Sequence, residues 1–249
     1  MDSLRLTPDE PKPNSWTEID TWLAELGAGV SFAAARIEPD GQCRIAHGLD
    51  ADTQRPIGSA FKLYVLGALA QAVAEGRLSW NEQLAIRDDY KSLPSGTLQN
   101  RPAGTMLPLS EDADHMISIS DNTATDHLIH RLGRDAVQRQ LSLFGHRQPD
   151  ANVPILTTKA FFQLKATSDQ DRARQYLALP THQRLAAVLE LERLPLPGVH
   201  EILVPTRIHR PDRAFRFAGR YLPRLRRPAA ARPARDPPCS LAQRRRTSP

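Results

Sequence analysis

The chain has 249 residues, of which 40% are hydrophobic and 24% charged, a composition typical of a soluble globular protein with one or two domains. No apolar run reaches the roughly 20 residues of a membrane-spanning helix, and the polar, Pro-rich N-terminus lacks the apolar core of a signal peptide. The sequence as written therefore predicts no membrane span and a cytoplasmic location, or a periplasmic or secreted one if the start is mis-assigned.

The net charge of +5 combines two regions of opposite charge. Residues 205–249 hold thirteen of the 33 basic residues and two of the 28 acidic ones, a net charge of +11, which leaves −6 for residues 1–204. The basic region also contains eight prolines and no apolar period, so it cannot bury enough apolar surface to offset the entropy of ordering. We predict a folded domain over 1–204 and a basic Arg/Pro-rich tail over 205–249 that is disordered or frameshifted.

Apolar periodicity predicts an α+β domain. Helical spacing of apolar residues indicates helices over 15–26, 59–75, 109–119, 122–131, 157–164 and 183–194. Two strands, over 30–37 and 42–47, flank a Glu-Pro-Asp-Gly turn, which is typical of a β-hairpin. The stretch 85–109 is predicted to be mostly irregular, because Gly, Pro and Asp interrupt every period.

The helix predicted over 59–75 is the most regular of these segments. Gly76 stands where a C-terminal helix cap is expected. Its predicted apolar face consists of Leu63, Leu66, Leu69, Ala70 and Val73.

A serine and a lysine lie one turn apart at the start of this helix, in Ser59-Ala60-Phe61-Lys62. A lysine amine that is neutral part of the time can take the proton of the serine hydroxyl and activate it as a nucleophile. The N–H groups of a helix N-terminus would stabilise a developing oxyanion. The alternative interpretation is a serine cap followed by a solvated lysine.

A second motif, Ser120-Asp121-Asn122, lies between two predicted helices. In such a loop Ser120 could pass a proton from the nucleophile to a leaving nitrogen, and Asn122 has both a donor and an acceptor for a substrate amide. Since all three residue types are good helix caps, a purely structural cap is the alternative.

Together the two motifs resemble those of class A β-lactamases and penicillin-binding serine hydrolases. Ser59 and Ser120 are 61 residues apart, about as in that family, and the resemblance covers residues 28–135. It extends to the segment 76–84 after the nucleophile helix and to 116–126 around Ser-Asp-Asn.

The resemblance implies an antiparallel sheet flanked by helices, with a mostly helical second lobe across the active-site cleft. It assigns Ser59 as the acylated nucleophile and Lys62 as its base or proton partner. Ser120 would be the proton relay, and Asn122 would contact the substrate amide. The implied reaction is hydrolysis of a β-lactam, or a related amide or ester, through an acyl-enzyme at Ser59.

Two elements of the family pattern have no counterpart. No Lys-Thr-Gly motif follows residue 135, and Ser95-Gly96-Thr97 lies in the wrong place to substitute for it. In the region 148–158, where the family places a deacylating glutamate, Asp150 is the only carboxylate. A frameshift near codons 205–210 would explain why the C-terminal strands that carry the third motif are lost or altered. The alternatives are therefore a β-lactamase-like esterase or carboxypeptidase, or an inactive truncated family member.

No metal or cofactor signature is present. Cys43 and Cys239 have neither metal-binding nor redox spacing, and Asp88-Asp89 is predicted to be a pair of loop residues. The sequence predicts a monomer that acts on a small molecule without cofactor or metal. The charge of the tail could attract nucleic acid or an anionic membrane, but it contains few aromatic residues and no recognised nucleic-acid fold. We therefore predict no specific nucleic-acid partner.

Overall fold

The computed structural model describes residues 12–27, 29–166 and 170–198, which fall into two compact units. Of these residues, 12–55 belong to the first unit and 56–198 to the second. The tail over 205–249, Cys239 and the predicted boundary at residue 204 lie outside the described residues and stay predictions.

The first unit is the predicted helix followed by the predicted β-hairpin. It contains α1 (Trp16–Glu25), β1 (Phe32–Ile37) and β2 (Cys43–Leu49), and the two strands pair antiparallel. The helix begins after Ser15, whose Oγ accepts the N–H of Glu18 at 3.3 Å. His47 of β2 stacks on Trp16 with ring centroids 4.7 Å apart, and its Nε2 lies 2.8 Å from Asp20 Oδ1. These contacts attach α1 to the hairpin.

The described part of the second unit is mostly helical. Its helices are α2 (Lys62–Ala74), α3 (Leu109–Ser118), α4 (Asn122–Leu132), α5 (Arg134–Leu143), α6 (Thr158–Lys165), α7 (Gln170–Ala178) and α8 (Thr181–Arg193). Its strands are β3 (Gln83–Ala85) and β4 (Met106–Pro108), which pair antiparallel. The α+β class, with antiparallel strands and a mostly helical unit, is confirmed.

Several elements differ from the sequence-based expectation. The prediction of an irregular stretch over 85–109 missed β4, because a three-residue strand is too short to show a period of two. Neither α5 nor α7 was predicted, since each buries only a narrow apolar stripe on an otherwise polar helix. The C-terminal region, whose strands are predicted to be lost or altered, lies outside the described residues.

The predicted inward face of α2 is partly wrong. Leu63 is 53% exposed and Ala70 is exposed, whereas the fully buried side consists of Val65, Ala68, Leu69 and Ala72. Because α2 is apolar nearly all round, its sequence does not single out the side that packs against α4 and α5. The predicted cap at Gly76 is confirmed: its φ is +69°, and the next N–H, of Arg77, donates to Ala72 O at 2.9 Å.

The residues described in the second unit form two buried apolar clusters. The larger joins α2, α3, α4 and α5, and the smaller joins α6, α7 and α8. Residues 122–129 of α4 are all buried, so this helix lies at the centre of the unit. Its N-terminus carries the Ser-Asp-Asn motif, which is thereby fixed against the core. No helix in the described ranges is long and apolar enough to cross a membrane.

Candidate active site

The Ser-x-x-Lys motif spans the entry into α2. Ser59 lies in a 3-10 turn (Gly58–Phe61) that leads directly into the helix, not in the α-helix itself, and its side chain is exposed. Lys62 is the first residue of α2 and is only 2% exposed. The motif therefore presents a serine to solvent and turns the lysine inward.

Lys62 reaches the second motif. Its Nζ donates to Ser120 O at 2.6 Å, Ser120 Oγ at 2.9 Å and Asn122 Oδ1 at 2.9 Å. An ammonium has three N–H donors, so these acceptors satisfy it completely. Contacts across about 60 residues of sequence thus bring together three of the four predicted site residues.

The electrostatic environment lowers the proton affinity of Lys62. Burial lowers the pKa of its ammonium from 10.5 to about 8, and the carboxylates of Asp126 and Asp121 oppose this shift. A lysine with this pKa is neutral in a useful fraction of molecules near neutral pH, as a general base for a serine requires.

Ser59 is adjacent to this cluster but is not bonded to it. Among the described residues no hydrogen bond joins Ser59 Oγ to Lys62 Nζ, whose donors are directed at Ser120 and Asn122. The two residues are three apart at a helix entry, a spacing at which side chains can meet. The catalytic roles of all four residues stay predictions.

The loop before α4 holds Ser120 in an unusual conformation. Its φ is +59°, in the left-handed region that residues with a side chain seldom adopt. Such strain persists only where neighbouring contacts enforce it, and it is common at functional sites.

The enforcing contacts come from Asp121, whose carboxylate is fully buried. Oδ1 accepts the N–H of Ala124 at 2.9 Å and so caps α4, whereas Oδ2 accepts the N–H groups of Thr97 at 2.6 Å and Leu98 at 2.9 Å. The carboxylate therefore joins the start of α4 to the loop over 92–98. A Cβ added to Gly96 would lie 2.2 Å from this carboxylate, so the approach requires glycine.

Asn122 is held from both sides. Its Oδ1 accepts from Lys62, its Nδ2 donates to Leu93 O at 2.9 Å, and its backbone N–H donates to Ser95 O at 2.9 Å. One N–H of the side-chain amide is left over. This group is the one available for the substrate contact that the family resemblance assigns to Asn122.

A buried polar network behind the site was missed by sequence reasoning. Asp126, one turn after Asn122 on α4, accepts the N–H of Thr158 at 2.7 Å, the N–H of Lys159 at 2.8 Å and Thr158 Oγ1 at 2.8 Å. Burial raises the pKa of this carboxyl to about 7, against the effect of those donors. Its spacing from Asn122 is the one sequence signal that points to it.

The region predicted to hold a deacylating carboxylate in the family pattern consists of a short turn and the start of α6. Asp150 lies exposed in a short 3-10 turn (Pro149–Asn152), and Thr157 and Thr158 begin α6. A carboxylate from α4, that of Asp126, contacts this region. Its oxygens accept hydrogen bonds from Thr158 and Lys159 at the start of α6. The described part of the chain contains no cluster of His, Cys, Asp and Glu side chains that could hold a metal ion.

Comparison with known proteins gives the following similarities. A β-lactamase from Sphaerobacter thermophilus is 29% identical, with 53% of this chain and 49% of that chain covered and a TM-score of 0.46. PBP-A is 24% identical, with 72% of this chain and 70% of PBP-A covered and a TM-score of 0.43. A β-lactamase from Chitinophaga pinensis is 21% identical, with 68% of this chain and 66% of that chain covered and a TM-score of 0.44. The chain thus spans about half the length of the Sphaerobacter protein. No curated protein matches it.

The sequence profile described as the β-lactamase enzyme family matches residues 15–189, well over half of the chain. The matched region includes both motifs and the whole cluster around Lys62. The chain belongs to the β-lactamase enzyme family.

Proposed function

We propose that this protein is a serine hydrolase that is acylated at Ser59 by a β-lactam or a related ester or amide. The observation that carries the proposal is the convergence of a buried Lys62 with Ser120 and Asn122, one turn from an exposed serine. A helix cap with a solvated lysine, the alternative interpretation of the motifs, does not account for a lysine that is 2% exposed.

In the proposed acylation, Ser59 Oγ attacks the substrate carbonyl carbon and its proton moves to the neutral amine of Lys62. The proton then passes through Ser120 Oγ to the leaving nitrogen or oxygen, as the carbonyl carbon–leaving-group bond breaks. With a pKa of about 8, about a tenth of Lys62 side chains are neutral at pH 7. The ammonium that forms is stabilised by the acceptors that already surround it.

We propose further that the acyl-enzyme is hydrolysed slowly. Asp150 is exposed, and the oxygens of Asp126 are occupied by the backbone and side chain at the start of α6. Neither carboxylate is therefore offered as a base for the deacylating water. The expected behaviour is that of a penicillin-binding protein or a slow esterase more than that of an efficient β-lactamase.

The test is the intact mass of the purified protein after incubation with benzylpenicillin. A gain equal to one probe molecule, present in the wild-type protein and absent from Ser59→Ala, is the expected result. Ser142→Ala, which removes an exposed hydroxyl on α5, is the matched control and should retain the adduct. A folded wild-type protein without an adduct would support the inactive alternative.

Two further measurements distinguish the remaining alternatives. Decay of the adduct over hours would confirm slow deacylation, and decay within seconds would refute it. Turnover of p-nitrophenyl acetate that depends on Ser59, without turnover of benzylpenicillin, would favour the esterase.

A further inference from the structure

A cleft in the same unit contains a buried cation that has no carboxylate partner among the described residues. The cleft has a volume of about 740 Å³ and lies between the 3-10 turn Asp88–Tyr90, α4, α6 and the end of α8. Its walls include Lys159 and His130, and apolar side chains from Leu189 and Leu196. The combination of a buried charge and an apolar wall is typical of sites for small ligands.

Lys159 is 7% exposed, and within the described part of the chain its Nζ donates to one acceptor, the backbone oxygen of Asp89, at 3.1 Å. An ammonium has three donors, so two are left over. Within the ranges that the structure describes, no carboxylate lies within ion-pair distance of this nitrogen. A buried ammonium in this state is costly, and an anion placed beside it would offset the cost.

The carboxylates that line the cleft are each paired with another cation. The pairs are Asp88 with Lys91 at 2.7 Å, Asp89 with Arg87 at 2.8 Å, and Glu192 with Arg134. These pairs leave Lys159 as a cation of the cleft wall available to a ligand.

The rest of the cleft wall offers aromatic and aliphatic surface to a ligand, in addition to the charge of Lys159. His130 stacks on Tyr90 with ring centroids 3.8 Å apart and planes 10° apart, which gives the wall a flat, rigid surface. Leu189 and Leu196 provide aliphatic surface. A fully hydrated inorganic ion would leave this surface uncovered, whereas an organic anion would cover it.

We propose that this cleft binds a small organic carboxylate, whose oxygens accept from Lys159 Nζ and whose apolar body lies against Leu189 and Leu196. None of the four residues of the acylation proposal lines this cleft. His130 follows Asn122 by eight residues on α4, a distance of about 12 Å along the helix axis. The proposal therefore does not depend on the acylation of Ser59.

Benzoate and benzamide are suitable probes because they share shape and differ in charge. Each compound would be titrated into the full-length wild-type protein. Binding would be measured by isothermal titration calorimetry and by the NMR signals of the His130 ring. Benzoate is expected to bind with a millimolar dissociation constant or better and to shift the His130 signals. Benzamide should bind at least tenfold more weakly. Equal affinity for the two compounds, or no binding of benzoate, would overturn the proposal without any variant.

Variants of Lys159 then test whether its ammonium is the group that binds the carboxylate. Lys159→Met should reduce benzoate affinity at least tenfold, and Lys159→Arg should restore it. Replacing an unpaired buried cation by an apolar side chain is commonly tolerated, and a thermal melt would verify that each variant is folded. Lys91→Met, in the same cleft but paired with Asp88, is the matched control and should change the affinity less than threefold. Full retention of benzoate binding in Lys159→Met would refute the role of Lys159.

Discussion

Asp112 is buried in the apolar side of α3, where its charge should destabilise the protein. It is 1% exposed, on the same face as Leu109 and Met116, and neither carboxylate oxygen has a hydrogen-bond partner in the described structure. Burial, and then the neighbouring charges of Asp121 and Glu111, raise the pKa of this carboxyl from 3.8 to about 7. We predict that Asp112→Leu, which has nearly the same shape, stabilises the protein at pH 8.

The magnitude follows from linkage. A carboxyl whose pKa is higher in the folded state binds more protons there, so the free energy of unfolding falls as the pH rises from about 4 to about 7. A carboxyl pKa raised from 3.8 to about 7 corresponds to about 4 kcal/mol of destabilisation above pH 7, and to almost none below pH 4. Asp112→Leu should remove this pH-dependent penalty.

Urea denaturation of wild-type and Asp112→Leu proteins at pH 4.5, 6 and 8, followed by circular dichroism, measures the effect. The difference in free energy of unfolding between the two proteins should grow with pH. Asp126 also makes stability depend on pH, but it is present in both proteins, so its contribution cancels in that difference. Asp114→Asn, at an exposed position of the same helix, should show no such trend. A difference that is constant with pH, or a destabilised Asp112→Leu protein at pH 8, would mean that the carboxylate has a partner in solution.

Three further predictions concern the site and its support. The acylation rate constant should rise about tenfold per pH unit below 8, because Lys62 must be neutral and burial lowers its pKa to about 8; a flat profile from pH 6 to 10 would exclude Lys62 as the base. Gly96→Ala should destabilise by about 3 kcal/mol or more in urea titrations, because its Cβ would meet the Asp121 carboxylate. Gly104→Ala, which has a similar positive φ but open space, should cost only about 1 kcal/mol, and equal effects would contradict the steric argument. His127 is buried with Nε2 accepting a backbone N–H at 2.8 Å, and burial lowers its pKa. Below pH 6.5, the pKa of a free histidine, the unfolded state therefore binds more protons than the folded state, and the free energy of unfolding of the wild type falls. In the same urea titrations, His127→Gln should lose less stability than the wild type between pH 6.5 and 5.

The two motifs singled out Lys62, Ser120 and Asn122 as site residues, but they predicted neither the hydrogen bonds among these residues nor what holds them in place. Ser-x-x-Lys and Ser-Asp-Asn are recognisable in the sequence by their residue types and their spacing. In contrast, Asp121 holds the loop over 92–98 through the backbone N–H groups of Thr97 and Leu98, and every residue except proline has such a group. The sequence therefore did not indicate that this loop, which lies in the stretch predicted to be irregular, is held against the site.

Buried charges were the second feature that the sequence did not indicate. Asp112 and Lys159 occupy buried positions, and single-sequence patterns assign charged residues to the exposed side of a helix. Such exceptions become visible only when the packing of neighbouring helices is known.

The cap and active-site interpretations of Ser-Asp-Asn are compatible, because they use different residues. Asp121 alone caps α4, and its burial fixes the residues on either side, so that Ser120 and Asn122 both face Lys62. These groups and Ser59 all belong to residues 56–198, so the proposed proton transfer needs nothing outside them. The third motif of the family would instead contact the carboxylate of a substrate. Because no Lys-Thr-Gly follows residue 135 in this sequence, we predict that the binding of carboxylate-bearing β-lactams is weakened more than acylation by a neutral ester is slowed. A comparison of KM and kcat for the two substrate classes separates these effects.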